Sequence, residues 1–412
     1  MNINYSRNVI DIPANRSLLF FCCLRPSSIE EKKVTLTTER TIRVLHVMPQ
    51  IAIGGAETQL HALIVNSEPQ VVTHEVLYYS DSQDKEGYKL YSDAGIKFCR
   101  VPRNKKRPIK FLRDFASEIK KRKPDIVHCW LNSGNIWGRW AAILAGMKNI
   151  IVAYRVCNVW YPRISRVLEK LTTKRVHYSA NSYACADFIG KELGVSPDSF
   201  HVIYNGISVE KFEISSNREE LSGELNIPND AKIVTMVGRL MHQKNYPMLL
   251  KVARKYKDKR PPVHFIIVGH GEKKEELIEL AHHLGVMDIV HFLGLRRDIP
   301  EILKSSDIFC FTTLYEAFPN VLLEAMAAGL PIVTTDFDGV DELIEDGVNG
   351  KIIAINDVDG GYSALKSYLD NPELANGLAE KARETVRQQF SMNRMVNNTV
   401  NYYRQILMGA VR

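Results

Sequence analysis

Residues Lys232 to Asn245 read KIVTMVGRLMHQKN, an apolar, β-branched run that closes on Gly238 and passes into a loop carrying Arg239 and Lys244. A run of this kind is the entry to a strand-helix unit of a parallel sheet. Its place in the chain decides the fold. Five comparable runs precede it: IRVLHVM (Ile42–Met48), HEVLYY (His74–Tyr79), DIVHCW (Asp125–Trp130), IIVAYR (Ile150–Arg155) and HVIY (His201–Tyr204). Four follow it: HFIIVG (His264–Gly269), IVHFLG (Ile289–Gly294), DIFCFTT (Asp307–Thr313) and LPIVTT (Leu330–Thr335). Between the two series lies a polar stretch, Asn205–Asp230, with an Asn-Gly turn and a proline. KIVTMVG is therefore a restart, and the expected fold is α/β with two doubly wound, Rossmann-like sheets.

The 412 residues are 45% hydrophobic and 25% charged, a globular composition in a chain too long for one compact core. The expected boundaries are an N-terminal extension over 1–40, a first domain over 41–210, a linker over 211–230 and a second domain over 231–388. A last helical segment, 389–412, is expected to pack back on the first domain. Seven scattered cysteines without a CxxC pair point to a reducing, cytoplasmic setting. The apolar run Leu18–Leu24 is far shorter than the ~20 residues of a membrane-spanning helix.

Charge is uneven. Residues 1–210 hold 30 Lys and Arg against 19 Asp and Glu, and the remainder 24 against 28, so the net +7 belongs to the first half. Its densest part is Arg103–Lys123, with ten basic residues against Asp114 and Glu118. This stretch reads as a solvated helix or as a surface that rests on anionic lipid, the protein then sitting peripherally on the inner face of the cell membrane. Nucleic acid is not an expected partner, since no binding signature or aromatic interleaving accompanies the charge.

In open parallel sheets ligands bind beyond the carboxyl ends of the strands. After the first strand stands IGGAE, where Gly54 and Gly55 allow close backbone approach and a following helix offers amides to an anion. Arg239 and Lys244 suit a diphosphate, one as a fork and one as a point charge. Further on, GHGE (Gly269–Glu272) is another glycine turn at a strand end. In TLYEAFPNVLLEAMAAGLPIV (Thr313–Val333), Pro319 predicts a helix start and Gly329 with Pro331 its stop. Glu316 then lies in the loop before the helix and Glu324 inside it, which is no acid and base pair. Free amides of Asn320, Val321 and Leu322 would form an anion site between them. Carboxylates beside an anion are tolerable when they accept from hydroxyls of the same ligand, and a nucleotide sugar carries both groups.

EAFPNVLLE resembles the Ex7E motif of retaining glycosyltransferases of the GT-B fold, and its surroundings resemble glycosyltransferase family 4. The resemblance runs from about Arg43 to Leu407: GGAE at Gly54–Glu57, DIVH at Asp125–His128, VIYNGI at Val202–Ile207, VGRL with Lys244, GHGE, FLG at Phe292–Gly294 and EAMAAGLPIVTTD to Asp336. It implies two domains facing across a cleft, with Glu316, His128, Arg239 and Lys244 as catalytic residues. It also implies a donor site of Gly54, Gly55, Gly238, Arg239, Lys244, Gly269, Phe318, Asn320, Val321, Leu322 and Glu324. In it Arg239 and Lys244 hold the diphosphate, Glu324 the ribose, and Glu316 lies by the transferred sugar, which His128 faces from its strand end. Tyr204 stands where the family often has Pro and Ser208 where it often has Asp, departures that touch the hinge.

The implied reaction is transfer of a sugar, with retention, from a nucleoside diphosphate sugar to a hydroxyl of a saccharide or lipid-linked saccharide, in cell-surface polysaccharide or glycolipid biosynthesis. No cofactor or metal is expected. Asp336-Phe337-Asp338 spells the DxD by which another glycosyltransferase fold holds a divalent ion, but here it belongs to a domain that already has a donor site. A nucleotide-sugar epimerase of the same architecture, a pyridoxal phosphate dependent phosphorylase and a non-catalytic sugar-nucleotide binder are the alternatives.

Overall fold

A computed structural model describes residues 40–82, 84–104, 106–157 and 163–411. The N-terminal extension, the run Leu18–Leu24 and Lys105 of the basic stretch lie outside the described residues. The first sheet has seven strands: β1 (Ile42–Met48), β2 (Val72–Tyr78), β3 (Lys97–Arg100), β4 (Ile126–Trp130), β5 (Ile150–Tyr154), β6 (His177–Ala180) and β7 (Phe200–Val202). The second has six: β8 (Lys232–Val237), β9 (Val263–Val268), β10 (Val290–Gly294), β11 (Ile308–Phe311), β12 (Ile332–Thr335) and β13 (Lys351–Ile353). The orders are β3-β2-β1-β4-β5-β6-β7 and β10-β9-β8-β11-β12-β13, and every pairing is parallel. These are the two doubly wound, Rossmann-like sheets of the GT-B fold. Strands β4, β5 and β9 are buried along their whole length, as helices on both faces of a parallel sheet require.

Each order reverses once, between β1 and β4 and between β8 and β11. Those reversals open a crevice at the carboxyl ends of the strands. At the first lie Gly54 and Gly55, and at the second lie Arg239 with Lys244 and the loop that carries Glu316.

The chain crosses between the sheets twice, and the crossings touch. Ile207 N donates to Phe390 O at 2.9 Å and Met392 N to Ile207 O at 3.0 Å. After the second crossing the helix Met392–Leu407 packs on the first sheet, where Met395, Val396, Val400, Tyr402, Tyr403 and Ile406 join the cluster built on β1, β2 and β4. The stretch read as a linker is mostly part of the second domain. Arg218–Leu225 is helical, and Val209, Phe212, Leu221 and Ile227 are buried in the second core. Those four apolar residues were hidden in a polar composition, so the true crossing is only about residues 203–208.

Candidate active site

Glu316 follows β11 by five residues and is 9% exposed. Its Oε1 accepts from Lys244 Nζ and from Thr313 Oγ1 at 3.0 Å. Lys244 Nζ also lies 4.9 Å from the centre of the Phe311 ring. The ammonium has three N–H donors, so pairing with Glu316 leaves two for another anion. Arg239 is exposed, one residue beyond Gly238. Across the crevice from it stands Glu57, 7% exposed on the first helix, Gly55–Val65. Burial raises the Glu57 carboxyl above its ordinary value, and the Arg239 charge opposes the rise. Glu57 was quoted with GGAE but given no role.

The helix after Glu316 runs Asn320–Ala328 with Pro319 as its cap residue. Leu322 N donates to Pro319 O at 3.2 Å, so the anion site has the amides of Asn320 and Val321, one fewer than the sequence suggests. The Leu322 side chain is fully buried in the second core and Val321 packs against it. Asn320 is tied to the first domain. Its Oδ1 accepts from Asn205 Nδ2 at 2.7 Å and Gln59 Nε2 at 3.5 Å, and its Nδ2 donates to Gly55 O at 3.4 Å. Asn205 Nδ2 also reaches Phe318 O at 3.1 Å, and Gln59 exchanges two hydrogen bonds with the Gly206 backbone. Neither Gln59 nor Asn205 stood among the candidates. Asn205 belongs to VIYNGI, but an Asn-Gly pair reads first as a turn.

Glu324 on the second turn is half-buried, with no hydrogen bond or ion pair among the described residues. Burial pushes its carboxyl up to about 7, with Lys211 opposing. Two further ties cross the crevice. Ser182 Oγ donates to Ala317 O at 2.7 Å. Glu342 accepts from the amides of Tyr183 and Ala184, both at 2.8 Å, at the positive end of the helix Tyr183–Leu193.

Three expected residues also have packing contacts of their own. His128 sits within β4, 3% exposed. Its Nδ1 meets Tyr403 Oη at 2.8 Å, its ring stacks on Trp130 at 4.6 Å, and burial holds its pKa well below the ordinary value. Its Nε2 is buried without a hydrogen-bond partner among the described residues. Phe318 is wedged in the hinge, stacked on Tyr204 at 5.0 Å and edge-on to Phe390 at 5.4 Å. Tyr204, the departure from the family's proline, fills that wedge. Gly269 is glycine for backbone packing, since a Cβ there would stand 1.9 Å from Gly238 O. Asp336 and Asp338 are exposed on either side of buried Phe337. Among the described residues no group of His, Cys, Asp or Glu is arranged to hold a metal ion, and no described helix is long and apolar enough to cross a membrane.

The site thus gathers an ion pair, an exposed arginine, two helix amides and a carboxylate without a partner among the described residues at the reversal point of the second sheet, with glycines facing them from the first. Residues 53–211 match the family model described as Glycosyltransferase Family 4, and residues 217–385 the model described as Glycosyl transferases group 1. A UDP-Gal:alpha-D-GlcNAc-diphosphoundecaprenol alpha-1,3-galactosyltransferase of Escherichia coli is 30% identical over 335 residues, 76% of this chain and 85% of that protein. The Putative glycosyltransferase EpsF of Bacillus subtilis is 28% identical over 71% of this chain and 79% of its own. Among solved structures, Anabaena HepE in complex with UDP and glucose superposes with a TM-score of 0.78 at 20% identity, covering 88% of this chain and 100% of that one. A glycosyltransferase from Rickettsia africae does so at 0.78 and 20%, covering 90% and 99%.

Proposed function

Because the chain belongs to glycosyltransferase family 4, we propose that it moves a hexosyl group from a UDP-sugar to a hydroxyl of a lipid-linked saccharide, with retention at the anomeric carbon, in the building of a surface polysaccharide or glycolipid. The observation that carries this reading is the Lys244–Glu316 ion pair at the foot of the Asn320–Ala328 helix, with unpaired Glu324 beside it. A diphosphate placed against Arg239, Lys244 and the amides of Asn320 and Val321 meets four donors. From there the ribose hydroxyls reach Glu324 and the sugar reaches Glu316. The UDP-sugar is supported by the donor named for the E. coli relative and by the UDP complex of the Anabaena protein, and the lipid-linked acceptor by the same relative's name.

In the transfer, the bond from the anomeric carbon to the β-phosphate oxygen breaks while a bond to the acceptor oxygen forms on the same face. The acceptor proton passes to the departing phosphate oxygen. Charge that builds on that phosphate falls between Arg239, Lys244 and the helix amides, donors fixed before the reaction begins. This scheme uses no metal, so EDTA should leave turnover intact. We further propose that the basic helix Pro108–Arg122 brings the protein to an anionic membrane surface.

The test is incubation of the purified protein with UDP-, GDP- and ADP-sugars, with and without membrane extract as acceptor. Transfer to an extractable lipid from a UDP-sugar is the expected result. Conversion of the donor without any acceptor, or UDP affinity without turnover, would overturn it.

A further inference from the structure

Two arginines of the first domain, Arg139 fully buried and Arg155 half-buried, are treated differently by the fold. Arg139 is fully buried and provided for. Its Nη2 meets Tyr154 Oη at 3.0 Å and lies 3.9 Å from Glu169 Oε2, and its Nη1 donates to Thr172 Oγ1 at 3.2 Å. Arg155, directly after β5, has no ion pair among the described residues. Residues 156–168 that follow it contain no Asp or Glu, and the next acid, Glu169, already serves Arg139. The Arg155 guanidinium lies over the Trp130 indole at 4.4 Å, and Nη1 donates to Asn205 Oδ1 at 2.5 Å. Its Nε is buried without a partner, and burial pushes the group down to about 10. A desolvated cation without a counter-charge is costly to a fold. Arg155 stands at a strand's carboxyl end, where open parallel sheets bind their ligands.

Trp130 covers one side of the guanidinium, and Asn205 holds one of its nitrogens. The rest of a rigid fork remains for a planar or tetrahedral oxyanion. Asn205 is itself bonded to Asn320 and Phe318 O, so Arg155 is one side chain away from the start of the donor helix, on the side of the first domain. The donor diphosphate already has Arg239 and Lys244 from the second domain.

We propose that Arg155 is the anion-binding residue of the acceptor half of the cleft and takes a phosphoryl group carried by the acceptor saccharide. This rests on the glycosyl-transfer reading and narrows its substrate class to phosphorylated acceptors.

Inorganic pyrophosphate is a suitable probe. In calorimetry on UDP-saturated protein, pyrophosphate is expected to bind and to change the Trp130 fluorescence, a signal that Trp130→Phe removes. Arg155→Gln is expected to weaken pyrophosphate about tenfold or more, as loss of a charged hydrogen bond does, and to leave UDP affinity within about twofold. Arg155→Lys, which keeps the charge for the fold, is expected to fall between them. Three outcomes overturn the inference: UDP-loaded wild type that binds no pyrophosphate, an Arg155→Gln variant that loses UDP instead, and binding of glucuronate in place of pyrophosphate. Wild type that binds no UDP at all sinks the glycosyl-transfer reading. In that case the Trp130 fluorescence change on adding pyrophosphate, and its loss in Arg155→Gln, still separate Arg155 from Arg239 and Lys244.

Discussion

A half-buried carboxylate with no hydrogen bond among the described residues, drawn up to about 7 by burial, gives Glu324 two opposing effects. Burial favours its protonated form, so its contribution to stability is present below the ordinary carboxyl range and is lost as pH rises through about 7. Ribose hydroxyls need the ionised acceptor, so UDP affinity should climb over the same interval. Glu324→Gln is therefore expected to melt higher than wild type at pH 8, to bind UDP more weakly by ~1–3 kcal/mol, and to lose the pH dependence of binding. Calorimetry and thermal melts at pH 6 and 8 check all three, and an unchanged UDP affinity would remove Glu324 from the donor site. Lys244 makes a different case, because it neutralises Glu316. Lys244→Ala is expected to lower turnover by ~10²–10³ and also to destabilise the fold, since it strands a carboxylate that is 9% exposed. Glu316→Gln in the same background should recover stability and leave turnover low, which separates charge balance from chemistry. The sequence separated these two glutamates correctly into loop and helix, because Pro319 and Gly329 are local signals. What it could not show is that His128 Nδ1 meets Tyr403 from 275 positions away, since a polar residue near a strand end does not reveal its long-range partner.

The Asn320–Ala328 helix is held by the first domain's Gly55–Val65 helix and by the crossing segment, and this ties an element's position to the closure of two domains. Gln59, Asn205 and Gly55 O converge on Asn320, each hydrogen bond contributing about 1 kcal/mol. Asn320→Ala is expected to leave UDP binding within about threefold and to lower kcat by about tenfold, as an interaction made in the closed, reacting state would. A drop in UDP affinity with kcat unchanged would place Asn320 in ground-state binding. Element by element, ten of the thirteen strands were legible and β3, β6 and β13 were not. β3 is KFCR on a sheet edge with both ends exposed, β6 is HYSA, and β13 has only three residues. None contains enough apolar sequence to stand out from a loop. The cross-domain amides were illegible for another reason: Asn, Gln and Gly carry no periodicity, and their meaning comes only from which residues face them.

At the scale of the whole molecule, charge and connectivity matter. The basic helix Pro108–Arg122 offsets part of its own charge. Lys110 pairs with Asp114, Lys121 with Glu118, and Arg122 with Glu118 and Glu75. Lys106, Arg107, Arg113, Lys120 and Lys123 have no ion pair among the described residues, and Ile109 is 75% exposed beside them. Replacing those five cations by Gln is expected to weaken binding to phosphatidylserine vesicles by ~1 kcal/mol per charge at low salt, whereas replacing Lys110, Lys121 and Arg122 should change it little. Equal losses, or no loss, in flotation assays would return the helix to an ordinary solvated face. The second crossing between the sheets has a consequence for how the chain is made. Residues 392–407 complete a cluster that includes Ile42, Val44, Val72, Val76 and Ile126, which leave the ribosome more than 250 residues earlier. The second domain is contiguous and can close as it emerges. The first must hold an uncovered apolar sheet face throughout that wait, which makes it the part of the nascent chain exposed to chaperones, proteases and misassembly.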